Sequence, residues 1–256
     1  MPDPARSTVA EDGTVERPEG RGKTIAAVIV LVAALAVLLS LGTWQVQRLH
    51  WKEKLLADMA ERRAEPPAAL AEIEKRKAAG EDIEYRPVTV EGVYANDRER
   101  HFFATWKGQT GFYVYTPLQL ADGRFVFVNR GFVPYESKEP GKRAAGQLSG
   151  PQRVAGLARD RLEEKPSSLV PENDAGKNIF YWKDLDLMAS SAGLGEADVV
   201  PFFVDAGAAP NPGGMPVGGV TQFDLPNNHL QYAVTWYGLA LALVAVSGLY
   251  FFRRRG

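Results

Sequence analysis

Two uncharged apolar runs lie near opposite ends of the chain, and each is long enough to cross a membrane as a helix. The first runs from Thr24 to Trp44 and the second from Leu230 to Phe252. At a rise of about 1.5 Å per residue, either run matches the hydrocarbon core of a bilayer, which is roughly 30 Å thick. Neither run alternates as a barrel strand does, and a soluble core helix rarely stays apolar on all sides for this length. The pattern predicts two transmembrane helices.

Between the two runs the pattern changes from helical to strand-like. Residues 45–64 continue a helical spacing that Pro66 ends, and a short helix is expected over 68–79. Further on, short segments rich in Val, Phe, Tyr and Thr alternate with turn residues, and Asp122-Gly123 is typical of a hairpin. The predicted strands cover 86–94, 99–106, 111–120, 124–133, 152–159 and 199–206, and a further helix covers 184–191. The expected fold is an α+β membrane protein in which two transmembrane helices flank a β-rich extracytoplasmic domain.

The distribution of lysine and arginine sets the expected orientation. Three arginines follow the second run, whereas residues 205–229 before it contain neither lysine nor arginine. The positive-inside rule therefore places the C-terminus in the cytoplasm, and two spans place the N-terminus on the same side. Arg48 and Lys52, just past the first run, oppose this assignment and need another explanation.

These observations divide the chain into five parts. The expected boundaries are a disordered cytoplasmic tail (1–22), a transmembrane helix (23–45), a periplasmic part with a helical extension and the β-rich domain (46–228), a second transmembrane helix (229–252) and a short cytoplasmic tail (253–256). A cleaved signal peptide is the alternative for the first run. That run is longer than a typical signal core and no small-residue cleavage site follows it, so an uncleaved anchor is expected. A domain without cysteine is compatible with the periplasmic side of a bacterial inner membrane, where we expect it.

Charge and composition exclude several classes of function. The chain has 30 Lys and Arg against 31 Asp and Glu, so it offers no basic excess for nucleic acid. It has no cysteine, which excludes disulfides, thiol nucleophiles and cysteine-based metal or haem attachment. We also find no nucleophile elbow, phosphate-binding loop or zinc-protease helix motif. A binding or assembly protein is therefore expected rather than an enzyme, and a membrane-tethered hydrolase is the weaker alternative.

Five segments occur in a fixed order between and across the two apolar runs. They are LGTWQVQRLHWK (41–52), YRPVTVEGVY (85–94), TPLQLADGRFVFVNRGFVP (116–134), FYWKDLDLMA (180–189) and PNNHLQYAVTWYGLA (226–240). Together they strongly resemble the Surfeit locus protein one family, whose members are assembly factors of cytochrome c oxidase. The resemblance implies a protein that transiently binds haem a and assists its delivery. The implied partners are the catalytic subunit of the oxidase, the haem a synthesis machinery and the lipid bilayer. A scaffold that stabilises an assembly intermediate without haem is the alternative.

His229 stands at the start of the second apolar run, with Tyr232 and Trp236 at helical spacing. The residues alone leave two interpretations, a helix-end side chain in the headgroup layer and a functional ionisable group. The resemblance favours the second, with His229 as the ligand of the haem iron and Trp236 and Tyr232 as contacts to the ring. Arg48 and Lys52 are expected at the depth of His229, where they would pair with the haem propionates or, alternatively, reach to lipid headgroups.

Other residues carry lesser expectations. His50 is expected on a hydrated helix and His101 as a half-exposed strand residue, so neither is a favoured iron ligand. In FVNRGFVP, Gly131 is expected to permit a bulge or turn. Gly42, Trp44 and Gln45 are expected to contact the second helix near its small residues, such as Gly238 and Ala242.

Overall fold

The computed structural model describes residues 19–223 and 226–253, with side chains from residue 22 onward. The predicted tail over 1–22 therefore lies almost wholly outside the described residues. The chain divides into two compact units, one formed by its two ends up to residue 53 and from residue 226 onward, and the other by residues 54–225.

The described residues form four α-helices and seven strands. In chain order these are α1 (Glu19–Ala64), β1 (Ala68–Ala69), α2 (Leu70–Ala78), β2 (Pro87–Tyr94), β3 (Arg100–Trp106), β4 (Gln109–Gln119), β5 (Phe125–Pro134), β6 (Pro151–Asp160), α3 (Leu185–Ser191), β7 (Val199–Ala206) and α4 (His229–Arg253). Both α1 and α4 are long and apolar enough to cross a membrane, which fits a two-pass membrane protein. The first predicted span and the helix expected after it form one continuous helix, α1.

Five strands of the second unit close into a β-barrel. Their order is β2, β6, β7, β5 and β4, and β4 returns to β2 through the pairs Val93 with Gln119 and Tyr94 with Leu118. Neighbouring strands of the barrel are antiparallel except β5 and β7, which are parallel. Strand β3 extends the sheet beyond β4, and β1 adds two residues beside β2. The fold is α+β, as the sequence predicts.

Burial on both faces explains why FVFV (125–128) of β5 and FFV (202–204) of β7 are apolar without alternation. Val128 and Val204 belong to one core cluster, whereas Phe127 and Phe203, the next residues along each strand, belong to another. The second cluster also contains residues of α3 and the buried ring of Phe180. Strand β2 instead alternates between buried and partly exposed positions over its first four residues, because one face meets the solvent.

Most predicted element boundaries are confirmed within two residues. The hairpin at Asp122-Gly123 joins β4 to β5, and Gly123 adopts a φ of +90°. Asp184 is the N-cap of α3, because its side chain accepts a hydrogen bond from the Leu187 amide. The expected loop over 137–151 contains short 3₁₀ turns, including Pro140–Gly146.

Gly131 permits a close approach of two backbone segments. Its φ is +123°, and a Cβ at this position would lie 1.9 Å from the carbonyl oxygen of Val217. The neighbouring residue, Phe132, exchanges two backbone hydrogen bonds with Val217. The requirement for glycine is therefore confirmed, although it serves contact with the 217 segment as well as the bend of the strand.

Candidate functional site

Helices α1 and α4 pack against each other in antiparallel fashion through positions with heptad spacing. The buried or partly buried positions of the two helices include a series with this spacing in each helix. In α1 it is Leu31, Leu35, Leu38, Gly42, Gln45, Leu49 and Lys52, and in α4 it is His229, Ala233, Trp236, Ala240, Leu243 and Ser247. Alternating steps of four and three residues are typical of knobs-into-holes packing. This spacing is readable in the sequence once both helices are known.

Gly42 of α1 lies against the Tyr237 ring of α4. A Cβ on Gly42 would lie 2.9 Å from the Tyr237 ring, and Thr43 Oγ1 lies 3.1 Å from the Tyr237 hydroxyl. The expected contact of Gly42 with the second helix is therefore confirmed. The expectation that Gly238 takes part is wrong, because a Cβ on Gly238 would meet nothing within 4 Å. An aromatic side chain fills the space that glycine leaves.

His229 is held by a buried polar side chain of the partner helix. Its Nδ1 lies 2.7 Å from Oε1 of Gln45, a residue that is only 9% exposed. Because an amide oxygen only accepts, Nδ1 carries the proton and donates it to Gln45, and the lone pair of the neutral imidazole resides on Nε2. A hydrogen bond of this type fixes the orientation of an imidazole and increases its strength as a metal ligand. The hydrogen bond to Gln45 therefore fixes the orientation of the His229 ring against α1.

The two predicted cations lie on the same stretch of α1 as Gln45. Lys52 Nζ donates to the carbonyl oxygen of Pro226, three residues before His229, at 2.5 Å. The Arg48 guanidinium stacks over the ring of Trp51, with 4.3 Å to its centroid. Lys52 is therefore brought to the beginning of α4, and Arg48 lies one helical turn closer to Gln45 along α1.

Trp236 and Tyr232, the predicted contacts to the haem ring, differ in their exposure. Trp236 is half-buried at a heptad position of α4, whereas Tyr232 is 54% exposed. Tyr237, which the sequence analysis did not select as a contact, lies beside Gly42 and is 39% exposed. Tyr232 and Tyr237 therefore expose aromatic side chains within the first three turns of α4.

The expectation for His101 is wrong, because this side chain is buried rather than half-exposed. It is 4% exposed, and its Nε2 lies 2.9 Å from Oε1 of Glu99, which also accepts from Arg143. Burial raises the pKa of Glu99, but hydrogen bonds from His101 and Arg143 outweigh it and lower the pKa below its ordinary value. The edge of β3 is covered by the segment around Phe180, a long-range contact that the local sequence does not show. His50 is exposed on α1, as expected.

Comparison with known proteins identifies relatives over nearly the whole chain. A sequence model described as the SURF1 family matches residues 32–241. A SURF1-like protein of Monosiga brevicollis is 36% identical over 239 residues, which cover 88% of this chain and 87% of the relative. Surfeit locus protein 1 of Rattus norvegicus is 37% identical over 81% of this chain and 70% of its own length. The protein of the same name from Homo sapiens is 36% identical over 83% of this chain and 73% of its own length.

Proposed function

The chain belongs to the SURF1 family, and we propose that it assists cytochrome c oxidase assembly by binding haem a and delivering it to the catalytic subunit. Proteins of this family are assembly factors and not enzymes. The cargo, haem a, comes from the haem a synthesis machinery, which is the proposed donor. The alternative is a scaffold that stabilises an assembly intermediate and binds no haem.

The observation that supports haem binding is the hydrogen bond between His229 and Gln45. Haem iron takes a neutral imidazole as an axial ligand, and Nε2 of His229 carries the lone pair that such a ligand needs. Gln45 holds the imidazole in this tautomer, so it acts as a positioning residue. The side chains present at this end of the helix pair therefore fit the cargo.

The surrounding side chains match the rest of the haem molecule. Trp236 and Tyr232 supply aromatic contacts to the apolar ring, and Tyr237 adds a third. Arg48 and Lys52 supply positive charge for the propionates, which are carboxylates. In this proposal the two cations beyond the first span are part of the haem site, which explains their departure from the positive-inside pattern.

Haem binding is expected to depend on His229. When the protein is purified in detergent from cells that make haem a, we expect near-stoichiometric haem in the absorption spectrum. His229→Ala is expected to lose it, because the iron then has no imidazole at this position. Gln45→Leu keeps the ligand but not its orientation, so we expect haem affinity to fall on the order of 10- to 100-fold. Arg48→Gln combined with Lys52→Gln is expected to weaken binding on the order of tenfold through loss of propionate pairing.

The matched control is His50→Ala, which removes an exposed imidazole from the same unit and is expected to retain its haem. Lys54→Gln is the control for the two cations, since it neutralises a nearby charge on the same helix. Equal haem content in the natural chain and His229→Ala would eliminate His229 as the ligand. A natural chain without haem would favour the scaffold alternative. Unchanged haem affinity in the double variant of Arg48 and Lys52 would refute only the proposed pairing of these residues with the propionates.

We place the β-barrel domain in the periplasm of a bacterial inner membrane, with both chain ends in the cytoplasm. The support is the arginine cluster after α4 and the absence of lysine and arginine from residues 205–229. Because the chain has no cysteine, a single engineered cysteine can be labelled without background. We expect Leu169→Cys, at a position 92% exposed, to react with a membrane-impermeant maleimide in spheroplasts, whereas Arg255→Cys reacts only after lysis. The opposite labelling pattern would invert the proposed topology.

A further inference from the structure

Arg130, in the middle of β5, is a buried cation, and no carboxylate of the described residues forms an ion pair with it. It is 1% exposed, and its guanidinium lies 4.4 Å from the centroid of the Tyr94 ring. Its three hydrogen bonds go to neutral oxygens. Nη1 donates to Oδ1 of Asn96 at 3.3 Å, and Nη2 donates to the carbonyl of Gly146 and, at 3.4 Å, to Oδ1 of Asn211. Nε has no hydrogen-bond partner.

Arg143, the other buried arginine among the described residues, is paired with a carboxylate, and so is the partly buried Arg159. Arg143 donates to Glu99, and Arg159 donates to both Glu84 and Asp205. Within residues 19–223 and 226–253, Arg130 forms no ion pair. Burial lowers the pKa of its guanidinium below the ordinary value, and the Tyr94 phenol and the Glu99 carboxylate oppose this effect only in part.

An unpaired buried charge is costly, on the order of several kcal/mol for an ion taken out of water. Asn96, Gly146 and Asn211 compensate only part of this cost, because their oxygens carry partial charges. Because Arg143 is paired with a carboxylate and Arg130 is not, the position of Arg130 is one where an external negative charge would be stabilised.

A cavity of about 270 Å³ lies beside Arg130. The residues that line it include Tyr94, Arg130, Gln152, Arg153, Val154 and Asn211. None of these described residues is acidic, and the polar ones are two arginines, two amides and a tyrosine. The other wall residues are apolar or glycine. Arg153 is largely exposed and lies 3.5 Å from Glu91, so its charge is already matched outside the cavity.

We propose that this cavity binds a carboxylate-bearing ligand whose negative charge pairs with Arg130. A guanidinium presents a planar set of donors that matches the two oxygens of a carboxylate. One unmatched positive charge calls for one negative charge, and the alkyl walls accommodate an apolar body attached to it. A phosphate dianion fits less well, because it brings excess charge and a strongly held hydration shell into an apolar cavity. The site involves none of the proposed haem-binding residues.

Butyrate is a suitable probe, because it joins one carboxylate to a short alkyl chain. The experiment measures the thermal unfolding midpoint of the full chain in detergent while butyrate replaces chloride at constant ionic strength. Salts that are excluded from protein surfaces raise the midpoint linearly with concentration in every variant, whereas binding to a site gives a response that saturates. We expect a saturating rise for the natural chain, and the same rise for Arg161→Gln, which removes an arginine outside the cavity.

Two variants remove the site in different ways. Arg130→Gln deletes the charge, and Asn211→Asp keeps the arginine but supplies an internal carboxylate where Oδ1 already accepts from Nη2. Both are expected to weaken butyrate binding at least tenfold, so the saturating rise disappears. If Arg130→Gln does not fold, the result for Asn211→Asp decides the question, because this variant retains the Arg130 guanidinium.

Three results would overturn the proposal. The first is a natural chain with only a linear response to butyrate, and the second is a saturating response that both variants retain. The third is a saturating response to phosphate in place of butyrate, which would assign the cavity to a different anion.

Discussion

Replacement of Asp205 by asparagine is expected to lower the free energy of unfolding of the barrel domain by about 3 kcal/mol. Asp205 is 3% exposed on β7, and its Oδ1 accepts from Asn129 at 2.9 Å. Its Oδ2 accepts from Arg159 at 2.5 Å and from Thr221 at 2.9 Å. The carboxylate therefore joins three chain segments, and its loss leaves Arg159 with only Glu84 as an acidic partner.

The effect of Asp205→Asn is also expected to depend on pH. Burial raises the pKa of Asp205, but the positive charges of Lys183 and Arg159 and two hydrogen bonds outweigh it. The pKa in the folded protein therefore lies below its ordinary value of 3.8. A lowered pKa contributes stability that is fully present above 3.8 and is lost as the pH falls through the folded value. The difference in the free energy of unfolding between the natural chain and the variant should therefore become smaller in this acidic range.

Thermal and urea unfolding at neutral pH and at steps below pH 4 test this expectation. The matched control is Asp186→Asn, because Asp186 pairs with Arg161 on the surface and its side chain is 53% exposed. Exposed pairs contribute at most about 1 kcal/mol, so the control should remain close to the natural chain. A destabilisation by Asp205→Asn no larger than that of the control would show that the buried network does not hold the barrel together.

The sequence predicts the strands well and the barrel poorly, for a physical reason. Strand formation follows from local features, such as the β-branched and aromatic run 125–133 and the turn at Asp122-Gly123. Closure depends on the pairing of Val93 and Tyr94 in β2 with residues of β4 that are more than twenty positions away. No local pattern specifies this pairing, because a strand of given hydrophobicity can pair with several partners.

The contact between His229 and Gln45 follows from the sequence only in part. His229 stands out because an imidazole at the mouth of an apolar run is unusual. Gln45 was identified only as a general helix contact, although the four-three spacing from Gly42 to Lys52 places it on the face that meets α4. An amide on that face requires a partner, and His229 is the partner that the structure provides.

The burial of Arg130 is a feature that the sequence does not predict. FVNRGFVP reads as a structural strand motif, and arginine within a strand normally reaches the solvent. The structure buries it because the segments that contain Gly146 and Asn211 cover it, and both are distant in sequence. The same kind of cover buries His101. Burial of polar side chains by long-range segments is therefore the feature that the pattern of residues predicts least reliably.

Gly131→Ala is expected to be among the most destabilising single-methyl additions in the chain, with a loss of more than about 3 kcal/mol. The new Cβ would lie 1.9 Å from the Val217 carbonyl oxygen, and the φ of +123° disfavours any side chain. The 217 segment would have to move away, which breaks the paired backbone hydrogen bonds of Phe132 with Val217. The amide of Gly131 also donates to Oδ1 of Asn129, so displacement here reaches the network around Asp205.

Three glycine-to-alanine variants separate the two causes. Gly141 has an ordinary backbone conformation and a Cβ there meets nothing within 4 Å, so Gly141→Ala should leave the unfolding midpoint nearly unchanged. Gly123 has a φ of +90° but open space, so Gly123→Ala isolates the conformational cost, which is about 1–2 kcal/mol. Gly131→Ala adds the steric clash to that cost. Equal losses for Gly123→Ala and Gly131→Ala would mean that the 217 segment yields freely, and the contact with Val217 would then contribute little to the stability of the barrel.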